Sequence, residues 1–280
     1  GRVSKRGVIP LSWSMDHTGP SARSVWDAAA ALTAMAGHDA TDVGSAAVPA
    51  EDYTAGLAGE QPLDVRGLRI GICPGYYEGL LQPAVEAAFA QVIQWFERQG
   101  AQVRELSYPN RDAFTVGSIL TMSEAYAYHE RNLESSGEKY GPSIRYRLEK
   151  GQYIPASAYV NAQRLRQQDR RLWAELYQEI DVFLSPTVIM TAFPVGEPTA
   201  PFGGEAVNPR VHPVLMYLTS LGDFNGYPVL SLPCGFSRDD LPIGFQIQGS
   251  PFAESKVFQV AYAYERAHPE IGERKCGLWK

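Results

Sequence analysis

Residues 66–106 read as strand, helix, strand, and that order constrains the fold more than any other stretch. Arg66-Gly67-Leu68-Arg69-Ile70-Gly71-Ile72-Cys73 alternates, with Leu68, Ile70 and Ile72 on one face, and Pro74-Gly75 ends it. Pro83 suits a first helical turn. Val85, Ala88, Phe89, Val92, Ile93 and Phe96 then follow at helical spacing until Gly100. Residues 101–106 form a second strand. Two strands joined by one helix over this length make a βαβ unit, which implies a parallel pair inside a layered α/β fold.

The remaining chain fits that architecture. Ser24 stands three residues before Asp27, a capping box, and Val25, Ala28, Ala29, Leu32 and Ala36 follow at helical spacing up to Gly37. Residues 39–61 are rich in Ala, Gly, Asp and Pro and read as a connector. Residues 114–134 read as a helix with Ile119, Met122, Ala125 and Tyr126 on its apolar side, and Tyr140-Gly141-Pro142 breaks it. Residues 144–148 make a short helical turn. Pro155 opens a helix through 177, with Leu165, Leu172, Leu176 and Ile180 as its stripe and Arg164, Arg166, Arg170 and Arg171 on a solvated face. Residues 181–185 are a buried strand ended by Pro186. Residues 187–209, dense in Pro and Gly, are a long loop of the kind that lines sites. Residues 215–221 are helical, 229–232 and 243–249 are strands, and 256–266 form a last amphipathic helix.

The 280 residues carry a net charge of −6, which argues against broad nucleic-acid binding. No apolar run approaches the length of a bilayer span, so no membrane association is expected. The 3 cysteines (Cys73, Cys234, Cys276) are scattered, without metal-ligand or disulfide spacing, which fits a reducing, cytoplasmic setting. No G-x-S-x-G elbow, H-E-x-x-H or C-x-x-C occurs, so neither a metal nor another cofactor is expected. His17, His38, His129, His212 and His268 lie in unlike contexts. Cys73 and Cys234 are thiols that either act as nucleophiles or fill small buried spaces, and the second role is the commoner one. General chemical motifs alone reveal no active site.

A family resemblance adds what those motifs lack. Gly1-Arg2-Val3-Ser4, then Ser14-Met15-Asp16-His17-Thr18-Gly19-Pro20-Ser21-Ala22-Arg23-Ser24-Val25-Trp26-Asp27, resembles the amidase signature family just downstream of its Gly/Ser-rich signature. Tyr140-Gly141-Pro142 with Arg145, Arg147, Gly151, Tyr159, Ala162 and Arg166 is similar to its middle region. The segments 181–187, 226–236 and 241–254 resemble its C-terminal strands, and the matches run in order along the chain. The resemblance implies an α/β/α sandwich: a mixed, mostly parallel sheet with helices on both faces. It implies carboxamide hydrolysis, in which a serine attacks, a second serine in a cis peptide relays a proton and a lysine is the base.

In the family those three residues precede G-R-V-S. Ser4, Ser12, Ser14 and Lys5 match none of them, so no catalytic residue is assigned. Gly1 carries no initiator Met and reads like the middle of a longer chain. Residues 1–280 are therefore expected to be one domain portion, the C-terminal part of an amidase, inactive alone, and partnered by the missing N-terminal part of the same protein. Exposed sheet surface would make such a part unstable or self-associating, with a homodimer as the simplest form.

The resemblance implies a small-molecule amide substrate and pocket-wall residues Tyr126, Arg147, Thr187, Phe224 and Asn225. Each has a plainer role open to it: Tyr126 in the core, Arg147 paired with Glu149 or Glu124, Thr187 capping a strand end. Asp16 is expected to stabilise a turn and Arg23 to form an ion pair at the helix start. The glutaminase subunit of tRNA-dependent amidotransferases is a relative that uses an Asp and an Arg on its substrate. Here Met216 stands at the acidic position and Arg147 matches the Arg, while Asp223 stands where the family has Asn. A non-catalytic remnant that binds small molecules or a partner is the third reading.

Overall fold

The computed structural model describes residues 1–57, 59, 63–107, 113–196, 199–202, 205–207 and 213–272. Its centre is a five-stranded mixed sheet. The βαβ unit is present: β1 (Arg69–Ile72) and β2 (Gln102–Glu105) pair in parallel, Ile70 opposite Val103. Between them lie the short α2 (Pro74–Tyr77) and then α3 (Pro83–Arg98), which buries Val85, Ala88, Phe89, Val92 and Phe96. Gly100 follows with φ +88°, a conformation that suits glycine. β3 (Val182–Pro186) adds in parallel on the other side of β1. β7 (Pro242–Gly249) then runs antiparallel to both β3 and β6 (Val229–Phe236), giving the order β2-β1-β3-β7-β6.

Helices cover both faces of the sheet. Successive strand residues point to opposite sides. On one side Phe245 meets Tyr264 of α8 (Glu254–Ala267) edge-on at 4.9 Å, and Tyr264 lies 6.0 Å from Phe96 of α3. On the other, Phe183 meets Trp173 of α6 (Ala156–Glu179) at 4.9 Å. Trp173, Phe183 and Phe245 are all fully buried. β1 is enclosed on both faces rather than on the alternating one alone. A Cβ on Gly71 would lie 2.6 Å from Leu106 and 2.8 Å from Ile180, so the absent side chain lets those residues close over the strand.

The remaining helices pack at the periphery. The opening helix α1 (Val25–Met35) is capped by the Ser24 hydroxyl, which accepts from the Asp27 amide at 3.1 Å. α4 (Ala113–Ser136) and α5 (Pro142–Glu149) form a helical corner joined by a small core of Ala125, Leu133 and Leu148. The buried side of α4 carries Val116, Gly117, Leu120 and Ala125, whereas Ile119, Met122 and Tyr126 are only half-buried.

Three expectations are corrected. The buried stripe of α6 is Ala162, Arg166, Asp169, Trp173 and Tyr177, and Leu165 is 43% exposed. Two charged residues thus lie on the inner face, because their hydrogen-bond partners come from distant segments. Region 187–209 is not wholly irregular, since β4 (Ala200–Phe202) pairs antiparallel with β5 (Glu205–Val207). The helix expected over 215–221 is split into a 3₁₀ turn at Pro213–Met216 and the later α7 (Ser220–Asn225). A short α9 (Pro269–Gly272) closes the described chain. Among the described residues no helix is long and apolar enough to cross a membrane.

Candidate functional site

The opening segment is pinned to α4 and α6 by a partly buried polar network. Asp16 accepts from the amides of Leu11 and Ser12 at 2.8 and 2.9 Å, the turn-stabilising role expected of it. The Glu124 carboxylate receives the Ser12 hydroxyl (2.8 Å), the Ser14 amide (2.9 Å), the Ser14 hydroxyl (2.8 Å) and the Tyr159 hydroxyl (2.9 Å). Burial works to raise this carboxyl, but those four bonds outweigh it and hold the group below the usual carboxylate range. Arg166 completes the network. Its fork donates to the Ser14 hydroxyl at 2.9 Å, to the Ser14 carbonyl at 2.8 Å and to the Phe224 carbonyl. Burial, with Arg170 beside it, pushes the guanidinium down to about 10.

The same helix holds α7. Asn225 donates to Asp169 at 2.8 Å, and its carbonyl accepts from Arg170 at 3.0 Å. Gly226, at φ +73°, then turns the chain into β6. The opening segment and the α7–β6 turn are thereby fixed to one support, α6.

Between them lies a cavity of about 620 Å³. Its walls include Asp16, His17 and Arg23 on one side and Gly222, Asp223 and Gly226 on the other, with His17 Nδ1 3.4 Å from Asp223 Oδ1. Thr187 and Ser231 line it from adjoining parts of the sheet, their hydroxyls 2.6 Å apart. A Cβ on Gly244 would sit 3.1 Å from the Thr187 hydroxyl, so glycine leaves that pair its room. Gln246, behind them, donates to Ser185 at 2.8 Å and to the Leu218 carbonyl at 2.9 Å. The wall is apolar over most of its surface, with this hydroxyl pair set into it.

Of the five residues taken from the family resemblance, Thr187 lines this cavity. Its amide also donates to the Gly244 carbonyl at 3.0 Å, so it extends the β3–β7 ladder. Phe224 and Asn225 lie behind the wall, 1% and 2% exposed. Tyr126 packs, half-buried, against the α4–α5 core, and Arg147 lies half-buried on α5; neither lines the cavity. The structural ion pairs open to Arg147 do not form. Glu149 is bonded by Arg145 at 2.6 Å, and Glu124 is occupied as described.

Arg23 is also corrected. It is exposed on the cavity wall, and among the described residues it forms no ion pair. Glu265 of α8 serves the helix start instead, accepting from the Val25 amide at 2.9 Å.

The residues missed were Ser231 and Arg166. Strand periodicity places Val229, Ser231 and Pro233 on one face, a signal that was present for Ser231. Arg166 lay in a basic run with no local sign of burial. Cys73 and Cys234 are both buried, and burial pushes the Cys234 thiol up to about 12, which suits packing rather than attack. Among the described residues no three His, Cys, Asp or Glu side chains converge as metal ligands would. Cys276 and His212 lie outside the described residues.

Comparison with known proteins gives this geometry its frame. The Amidase family model matches residues 1–258. An amidase of Pseudomonas putida is 37% identical over 278 residues, covering 97% of this chain and 58% of that protein. A glutamyl-tRNA(Gln) amidotransferase subunit of Chloroflexus aggregans is 34% identical, covering 95% of this chain and 57% of that protein.

Among solved structures, the vestigial protein complex that reveals the evolutionary origins of an s-triazine catabolic enzyme superposes with TM-score 0.87 at 27% identity. It covers 99% of this chain and 58% of that one. The corresponding amidotransferase subunit of Thermotoga maritima gives TM-score 0.73 at 27% identity, covering 95% of this chain and 56% of that one. The chain thus spans a little under three-fifths of the relatives it matches. On family match, identity and superposition together, this chain belongs to the amidase family.

Proposed function

We propose that residues 1–280 are the C-terminal part of an amidase that hydrolyses a carboxamide C–N bond, with its nucleophilic serine, relay serine and base lysine supplied by a part preceding Gly1. The observation that carries this reading is the state of the opening segment's serines and lysine and of the hydroxyl pair in the cavity. Ser4 donates to Asp39 at 2.7 Å, while Ser12 and Ser14 are spent on Glu124. Lys5 donates to the Trp13 carbonyl at 2.8 Å. Thr187 and Ser231 bond to each other. Among the described residues no hydroxyl is hydrogen-bonded to a lysine, which supports a nucleophile and base supplied from elsewhere. Within the whole enzyme Thr187 would touch the small-molecule amide. Phe224 and Asn225 would shape the wall from behind, and Tyr126 and Arg147 would contribute from the α4–α5 corner.

The test is amide turnover by the full-length gene product against residues 1–280 alone. Turnover confined to the full-length protein supports the reading. Turnover by residues 1–280 that a serine substitution within them abolishes would overturn it.

One observation favours a second reading, the glutaminase component of a tRNA-dependent amidotransferase. Arg147 has neither of its two carboxylate neighbours as a partner and is free to grip an α-carboxylate. Against it, Met216 occupies the position where that chemistry needs an acid. Glutamine hydrolysis that rises when the other components are added would favour this reading, as would failure on all other amides.

A further inference from the structure

Asn225-Gly226 is the sole Asn-Gly pair in the sequence, and it closes α7 where that helix meets the cavity wall. An Asn-Gly pair is prone to spontaneous deamidation, because a glycine without Cβ leaves its nitrogen open to the asparagine side chain. The reaction needs only water and hydroxide. The Gly226 nitrogen gives its proton to hydroxide and attacks Cγ of Asn225. The Cγ–Nδ2 bond breaks, and ammonia leaves after taking a proton from water. A cyclic succinimide then joins the two residues. Water opens that ring, mostly to isoaspartate, whose main chain runs through the former side chain, and partly to aspartate.

In the closed fold each group this reaction uses is held. The Gly226 amide donates to the Gly222 carbonyl at 2.7 Å, so its proton is committed. The leaving Nδ2 of Asn225 donates to Asp169 at 2.8 Å, and the Asn225 carbonyl accepts from Arg170 at 3.0 Å. Gly226 is exposed but Asn225 is 2% exposed, so the guard lies in these bonds and in the burial of the asparagine. α7 cannot supply that guard alone. It has 6 residues and no side-chain cap at its start, too little for a helix to persist unaided. Its hold comes from α6, through Asp169, Arg170 and the Arg166 bond to the Phe224 carbonyl.

We propose that Asn225-Gly226 is a guarded deamidation site: α6 keeps it intact while α7 is docked, and each opening of α7 exposes it to irreversible conversion. The product cannot simply dock again. Where the Asn225 amide donates to Asp169, the converted residue sets a carboxylate against a carboxylate. Asn225 Oδ1 already has no hydrogen-bond partner among the described residues, so no donor waits for the new charge there. Arg170 Nη2 lies 3.3 Å from where a Gly226 Cβ would stand and can offset part of that charge. It cannot offset the extra main-chain atom of isoaspartate, which breaks the turn that the Gly226 and Tyr227 amides make on the Gly222 carbonyl. Gly222, Asp223 and Gly226 line the cavity, so conversion deforms its wall whatever the cavity binds.

Peptide mass mapping of the full-length protein tests this. Trypsin releases residues 211–238 as one peptide, in which Asn225 is the only Asn or Gln, so the mass gain of amide-to-acid conversion reports this site alone. Protein is held at mildly alkaline pH, folded and in urea, and the conversion is followed in time. The folded protein is expected to convert at least about a hundredfold more slowly than the protein in urea. Arg170→Ala frees the Asn225 carbonyl and should quicken conversion of the folded protein about tenfold, with no change in urea. Equal rates for folded and unfolded wild type would overturn the proposal, and that comparison does not depend on the variant folding. A folded Arg170→Ala protein that converts no faster than wild type would overturn it too. Converted protein, separated by its added negative charge, should exchange its Gly226 and Tyr227 amides at least about tenfold faster than unconverted protein. Unchanged exchange would contradict the release of α7.

Discussion

Arg166 holds Ser14 by both its carbonyl and its hydroxyl, at 2.8 and 2.9 Å, across 152 residues of sequence. The bond joins the opening segment to α6, and the third arm of the same guanidinium joins α6 to Phe224. Replacing Arg166 by Ala leaves two carbonyls and the Ser14 hydroxyl short of a donor in a buried place. The expected loss is about 3 kcal/mol. Arg166→Lys should recover only part of it, because an ammonium cannot reproduce the fork. Denaturant unfolding of the three proteins measures this, and equal stability of all three would refute it.

Glu124 is the acceptor that gathers the other side of the network. Glu124→Ala should cost about 2 to 4 kcal/mol, since four donors lose their acceptor. Tyr159→Phe should cost about 1 kcal/mol, since it removes one of the four donors to Glu124 and the acceptor of Gln163. The double variant Glu124→Ala with Ser14→Ala is expected to cost clearly less than the sum of its singles, because the two residues share bonds. Additive losses would mean that the network is not a unit.

Acid should weaken the fold. The folded-state values of Glu124 and Asp181 lie below the usual carboxylate range, and that of Asp39 falls to about 2. For Glu124 and Asp181 burial acts upward and hydrogen bonding outweighs it, from Ser14, Ser12 and Tyr159 in one case and Arg69 in the other. Hydrogen bonds from Thr41 and Ser4 lower Asp39. A carboxyl lowered on folding stabilises the fold above its unfolded value, and that contribution fades as pH falls through the folded one. Stability should therefore be level above about pH 5 and decline from about pH 4 toward pH 2. A titration of unfolding free energy, repeated with Glu124→Gln, should show a shallower decline in the variant.

Gly151 is a place where no side chain fits. A Cβ there would lie 2.2 Å from the Met122 carbonyl oxygen and 2.5 Å from Tyr126 Cβ. Gly151→Ala should destabilise the α4–α5 corner by about 2 kcal/mol, the scale of an overpacked contact. Gly141→Ala, where a Cβ meets nothing within 4 Å, is the control and should be near neutral. Thermal melts of the two variants decide it.

Much of the fold was legible because its signals are local. Ser24 as cap, Pro83 at a first helical turn and the apolar face of α3 are written within a few residues of where they act. The inner face of α6 was not, because Arg166 and Asp169 are buried only by virtue of Ser14, Phe224 and Asn225, which arrive from other parts of the chain. The pairing of β4 with β5 was hidden in a stretch whose Pro and Gly content reads as loop. At the cavity, Thr187 was visible through family resemblance alone. Its partner Ser231 became evident once the register set Ser231 opposite Gln246.

The central claim is that this chain frames an amidase site without supplying its nucleophile and base. The most direct measurement is hydrolysis of simple aryl and aliphatic amides by residues 1–280 and by the full-length protein under one set of conditions. The account predicts no turnover above background for residues 1–280 and clear turnover for the full-length protein. Turnover by residues 1–280 that disappears when Ser4, Ser12, Ser14 or Ser231 is changed to Ala would contradict it.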